Sequence, residues 1–198
     1  MPLSLTTPPV GEPVSLSDAK TWLRVSHTEE DTLMSDLITS ARERIEHHTG
    51  LALMTQSWRE TLDAWPRHRL GAGGQAVRLA RRPVLSVESV STLDEQGQWV
   101  VWDPSEYRVE PGEPGRLIAT LPFSLPQPAH CAGGLQIDFT AGFGGSANDV
   151  PAALREALLR MVGAAYANVE RAESAQRGRE DLPEGVEALL RPWRRARL

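Results

Sequence analysis

Residues 148–169, Asn148-Asp149-Val150-Pro151 followed by AALREALLRMVGAAYANV, decide how the rest of the chain is read. Leu154, Ala157, Leu158, Met161, Val162, Ala165, Tyr166 and Val169 recur at alternating intervals of three and one. That spacing puts them on one stripe of a helix with 3.6 residues per turn. Asn148 and Asp149 are cap residues, and Pro151 falls in the first turn, where a helix loses nothing by lacking an N–H. A helix with one apolar stripe needs another element to cover it.

The N-terminal part supplies candidates. Thr28-Glu29-Glu30-Asp31 reads as a cap followed by acids suited to the positive end of a helix dipole. Leu33, Met34, Leu37, Ile38, Ala41, Ile45 and His48 then follow at helical spacing until Gly50 stops the run as a C′ residue. Ahead of it, Ser15-Leu16-Ser17-Asp18 is a second N-cap signature. Leu16, Ala19, Trp22 and Leu23 predict a short helix ending near Val25. Residues 1–14 have too little apolar content to fold alone and read as an extended arm.

Between these helical ends the period changes. Residues 57–62, 76–79, 84–93, 98–102, 107–109, 116–119 and 135–139 are short runs rich in Val, Thr and Trp, broken by Gly and Pro. Asp94-Glu95-Gln96-Gly97 is a turn between two of them, and 121–128 is a proline-rich loop. The expected fold class is α+β: a helical bundle formed by the N- and C-terminal segments, with an inserted small antiparallel β-unit. The expected organisation is an extended arm at 1–14 and a helical core from 15–52 and 148–170. A β-rich insertion fills 53–147, and a linker with a C-terminal docking helix and tail fills 171–198.

Composition narrows the function. No apolar run approaches the roughly 18 residues that a membrane-spanning helix requires, so no membrane is expected. The first fifteen residues lack the basic and apolar regions of a secretory signal. A single cysteine, Cys131, excludes an internal disulfide framework and a cysteine-based zinc site. The formal charge is −5, but the last eight residues, RPWRRARL, hold four arginines and no acid. The remaining 17 basic and 26 acidic side chains leave a body at −9. An acidic body with a basic tag suggests an interaction surface. The charged stretch 170–181 reads as a solvated linker, and Pro183-Glu184-Gly185 opens a last short helix, Val186 to Leu190.

No catalytic, cofactor or metal constellation emerges. Glu43 and His47 share a helix face, as half a metal site would, but adjacent His47 and His48 point about 100° apart and HExxH is missing. Ordinary surface and core histidines account for them. His130-Cys131 proposes a thiol and base, yet neighbours in a proline-rich loop are not arranged for mutual hydrogen bonding by sequence alone. The glycines of Ala141-Gly142-Phe143-Gly144-Gly145 precede a helix without the lysine and hydroxyl of a phosphate loop, and read as a flexible strand-to-helix joint. Of the six tryptophans, Trp99 and Trp102 are placed near an exposed turn, and the others are candidates for core or rim.

The tail differs. Leu189, Leu190, Arg191, Trp193, Arg194, Arg195 and Arg197 combine residue types enriched at binding hot spots, and arginine pairs bidentately with carboxylate or phosphate. Two uses compete: docking on a protein partner, or a basic arm facing nucleic acid. The acidic body argues against the second. A hydrolase centred on Cys131 and a histidine ranks last.

Three separated motifs then carry a resemblance. The first is Pro13-Val14-Ser15-Leu16-Ser17-Asp18-Ala19-Lys20-Thr21-Trp22-Leu23-Arg24-Val25, with Asp31 and Ile45-Glu46-His47-His48-Thr49-Gly50. The second is Phe139-Thr140-Ala141-Gly142-Phe143-Gly144, leading to Asp149-Val150-Pro151-Ala152-Ala153-Leu154-Arg155 and Tyr166. The third is Leu182-Pro183-Glu184-Gly185-Val186 with Leu189-Leu190-Arg191-Pro192-Trp193-Arg194. In this order they resemble the phage head–tail connector (adaptor) family; Trp193 stands where that family more often has tyrosine.

The resemblance implies a structural, non-enzymatic part of a long-tailed double-stranded DNA phage, a prophage or a phage-derived gene transfer agent. It implies a particle built in the bacterial cytoplasm, with this part at the head–tail interface. It further implies a homo-oligomeric ring, commonly a dodecamer, beneath the portal protein and above a stopper or tail-completion protein. Its helices would surround passing DNA without reading sequence. Portal docking then falls to Leu189, Leu190 and Trp193 as buried anchors and to Arg191, Arg194, Arg195 and Arg197 as charge partners. No cofactor is implied.

Overall fold

The computed structural model describes residues 2–66, 76–113, 115–120, 125–129, 132–170 and 182–194. The chain is α+β and divides into two compact units, one of residues 1–9 with 55–142, the other of residues 10–54 with 143–198.

In the second unit, α1 (Leu16–Leu23) starts at Ser15, whose hydroxyl accepts from the Asp18 N–H while the Asp18 carboxylate returns to Ser15. This reciprocal cap satisfies two donors that a helix start leaves open. Arg24 ends α1 in the left-handed region, at φ 60°. Lys20, the sole lysine, donates to the His27 carbonyl at 2.6 Å and to Asp31 Oδ1 at 2.5 Å, bracing the turn into α2 (Asp31–Thr49). The N-cap of α2 is Glu30 and makes no side-chain cap bond, so Thr28 does not play the part its sequence position suggests. Gly50, at φ 74°, closes the helix as expected.

The stripes of α2 and α3 (Ala152–Glu170) bury Met34, Ile38, Ala41 and Ile45 with Leu154, Ala157, Leu158, Met161, Val162 and Tyr166. Val169 leaves the stripe and is exposed. α1 can approach α3 at Gly163, where a Cβ would sit 3.2 Å from the Leu23 side chain. Tyr166 donates its hydroxyl to Glu30 at 2.5 Å, joining α3 to the start of α2. The unit also buries charge. Arg42 donates to Glu12 at 2.8 Å and to Glu46 at 3.1 Å, and Glu46 accepts the Leu53 N–H at 2.8 Å. Burial works against the Arg42 charge, but the Glu12 hydrogen bond and the charges of Glu46, Glu12 and Glu43 outweigh it and raise its pKa. Removing one partner of such a pair costs about 3–5 kcal/mol, because the other charge stays buried.

Among the described residues the other unit has eight strands in two sheets: β1 (Leu3–Thr7), β2 (Gln56–Leu62), β3 (Ala76–Arg78), β4 (Val84–Leu93), β5 (Trp99–Val101), β6 (Tyr107–Glu110), β7 (Arg116–Ala119) and β8 (Leu135–Ala141). The five-stranded sheet has the order β1-β2-β8-β4-β5, and the three-stranded sheet the order β3-β7-β6. All pairings are antiparallel. On β8 every second residue, Leu135, Ile137, Phe139 and Ala141, is buried, opposite Leu62, Glu60, Trp58 and Gln56 of β2. On β4 the alternation fails because the register with β8 shifts twice, between Val84 and Ser86 and between Val87 and Ser89. Residues 3–7, within the stretch read as an extended arm, form the edge strand β1 against β2.

Trp58, Trp65 and Trp102 are buried. Trp102 meets Trp65 edge-on and Tyr107 at a tilt, with ring centroids 5.8 and 4.9 Å apart, and donates to Glu106. Its placement near an exposed turn is therefore corrected: only Trp99 stands exposed beside Asp94–Gly97.

Candidate docking segment

The C-terminal segment starts at Gly185, whose φ of 80° suits glycine and where a Cβ would meet Arg160 Nη1 at 3.1 Å. α4 (Val186–Leu190) follows, and Arg191–Trp193 add one tighter turn. Val186 and Leu190 are fully buried in their own unit's apolar cluster, with Leu182, Leu189 and Trp193 packed against it. The Trp193 ring meets Phe143 edge-on, with centroids 5.7 Å apart at 88°, a favoured arrangement worth about 0.5–1.5 kcal/mol beyond area burial.

The arginines face the other way. Arg191 and Arg194 are exposed, and Arg194 reaches Glu187 at 3.1 Å, an open pair whose strength water limits. His48 of α2 has its pKa lowered, first by burial and then by the Arg194 charge. Arg195 and Arg197 lie outside the described residues, as do residues 171–181 and the pair His130-Cys131. The segment thus has an apolar side committed to its own unit and a cationic side open to carboxylates or phosphates.

The remaining sequence candidates find structural roles. Glu43 and His47 are exposed, and His48 is partly buried. Among the described residues no group of three or more His, Cys, Asp or Glu side chains is placed to hold a metal. The glycine stretch joins β8 to the turn Ala147–Asp149. There the Asp149 carboxylate accepts the Ser146 N–H at 2.9 Å, and a Cβ on Gly144 would collide with that carboxylate.

Two surfaces escape the sequence reading. Trp22, on the apolar stripe of α1, is half exposed and borders a groove of about 410 Å³ between α1 and α3. β5 exposes all three of its residues. Trp22 looks like core in sequence, and of β5 only Trp99 is placed near an exposed turn, because an apolar residue at the right spacing does not reveal whether a neighbouring element covers it.

Residues 13–77 match the family model of phage gp6-like head-tail connector proteins. No curated protein matches. Among solved structures, a chain from the neck of an empty GTA particle, computed with C6 symmetry, is 27% identical with a TM-score of 0.78. A chain from the virion of a native gene transfer agent particle is 29% identical with a TM-score of 0.77, and one from the neck of a native GTA particle, computed with C12 symmetry, is 26% identical with a TM-score of 0.74. Each alignment covers 100% of this chain and 97% of the other. The use of the tail as a nucleic-acid arm gains no support from these likenesses. The resemblance carried by the three motifs is borne out: residues 13–77 are a phage gp6-like head-tail connector match, and the whole chain shares the fold of gene transfer agent neck components.

Proposed function

We propose that the chain is a non-enzymatic connector that forms a ring beneath a portal protein and joins a DNA-filled head to a stopper or tail-completion protein. The observation that carries this is the end-to-end match to chains in particle necks. On this reading the helices at the two ends of the sequence form a bundle around the DNA channel. The body at −9 suits that place, because a conduit for passing DNA should not grip phosphates.

Portal docking falls to the C-terminal segment. Arg191 and Arg194, continued by Arg195 and Arg197, supply charge pairing and register. Leu189, Leu190 and Trp193 key the segment in place, and their present packing on their own unit holds Arg191 and Arg194 at a defined position. Full-length chain is expected to be retained by immobilised portal rings, and a chain lacking residues 191–198 to be lost from them. Undiminished retention of the truncated chain would sink the docking role. Removal of the whole protein should yield DNA-filled heads without tails, and normal tailed particles would exclude a connector.

A further inference from the structure

The five-stranded sheet ends on β1 and β5, and among the described residues neither has a strand on its outer side. Trp99, Val100 and Val101 of β5 are 42, 51 and 61% exposed. The hairpin fixes which backbone groups face outward. Asp94 N–H donates to the Gln98 carbonyl and Trp102 N–H to the Val90 carbonyl, with Val100 opposite Thr92 between them. Hydrogen-bonded pairs alternate in such a ladder, so the N–H and C=O of Trp99 and Val101 point away from the sheet.

Chains that must stay apart blunt such edges with lysine, proline or inward charge. Trp99-Val100-Val101 has none of these side chains, and its shortness, three residues, is the one such device it carries. The opposite edge, Leu3-Ser4-Leu5-Thr6-Thr7, is also uncharged and mostly exposed, with Leu5 at 43%.

Strand direction decides what these edges can meet. Four antiparallel steps separate β1 from β5, so the two strands run the same way. Two β5 edges related by a two-fold would pair antiparallel and stop at a dimer. A rotation that preserves strand direction instead brings β5 of one copy beside β1 of the next, in parallel, and can repeat until it closes. The C6 and C12 symmetries of the similar necks are closed rotations, which keep strand direction where the strands run along the axis.

We propose that β5 of one copy pairs in parallel with β1 of the next, so that the two sheet edges form part of the contact between successive subunits. The proposal rests on the chain being a ring subunit. Three residues against five are too few for a whole interface, which typically covers about 800 Å² per partner. The strands fix direction and neighbour order, and further surfaces add area.

The test uses particles made by cells that carry the full-length chain with Cys131→Ser, Ser4→Cys and Val101→Cys, treated with a short bis-maleimide. The expected result is a ladder of covalent oligomers beyond the dimer that requires both introduced cysteines. Adding Trp99→Lys, which leaves the β4–β5 hairpin bonds intact, should abolish the ladder. Particles that contain the chain but give no ladder would overturn the edge pairing. So would dimers from Val101→Cys alone, which mark a two-fold contact. A wild-type chain missing from purified particles is a separate failure, since it refutes the connector function and the pairing with it.

Discussion

The C-terminal segment and β5 are both short, and both carry a tryptophan, yet they treat it in opposite ways. Trp193 turns inward onto Phe143 and leaves arginines outside. Trp99 stands in water with two valines beside it on an open strand. The first segment contributes to the stability of its own unit. The second leaves about half of its apolar surface in water, and that exposed apolar character points to association. Stability and assembly should therefore separate when the two are altered.

The largest effect is expected at Leu190, fully buried among α3 and α4 neighbours. Leu190→Ala should lower unfolding free energy by about 2–5 kcal/mol, the range for a buried leucine that leaves a cavity. Denaturant titration measures it, and a loss below about 1 kcal/mol would show that the segment is peripheral to the core. Trp193→Ala should come next, losing about 1 kcal/mol from the ring contact in addition to packing. Cooperative unfolding should persist in both variants.

A smaller effect has a pH signature. His48 faces Arg194, Glu187 and His47, and its folded pKa lies below the ordinary 6.5, first through burial and then through Arg194. The unfolded state then binds more protons on approach to that range, so the His48 contribution is present above the unfolded pKa and is lost as pH falls through the folded one. Melting temperature measured from neutral to mildly acidic pH should fall more steeply for wild type than for His48→Gln. Parallel curves would show that His48 does not report on the segment above it.

Legibility followed the range of the interactions. α2 and α3 were readable because their stripes are set by spacing within one segment, and α4 because Pro183-Glu184-Gly185 opens it, with Val186–Leu190 matching its expected bounds. The start of α3 was less so: Ser146 and Asp149 cap a separate turn at Ala147–Asp149, and the helix begins after Pro151. Trp22 shows the limit of a stripe, since periodicity gives a face and not what covers it. Seven of the eight described strands were found; β1, read as an arm, and the division into two sheets were not, because pairing joins residues as distant as Leu5 and Trp58. Twice-shifted register hid the buried face of β4, where Val90 and Thr92 point inward. In the C-terminal segment the residue types were legible, while the inward commitment of Leu190 and Trp193 depends on Phe143 and on neighbours in other helices.

The smallest stability effect separates the two regions most sharply. Val101→Lys places a charge on a strand residue that is 61% exposed, with its backbone N–H directed away from the hairpin. Nothing buried is disturbed, so the unfolding free energy should stay within about 0.5 kcal/mol of wild type, as for surface changes away from special features. The same variant should nevertheless be depleted from particles, because a lysine on an edge strand opposes pairing with another chain. A large loss of stability would mean that β5 belongs to the folding core. An unchanged yield in particles would mean that its exposed apolar side chains serve no contact. Leu190→Ala should show the converse pattern, with reduced stability and, at temperatures where the chain remains folded, normal cross-links between β5 and β1.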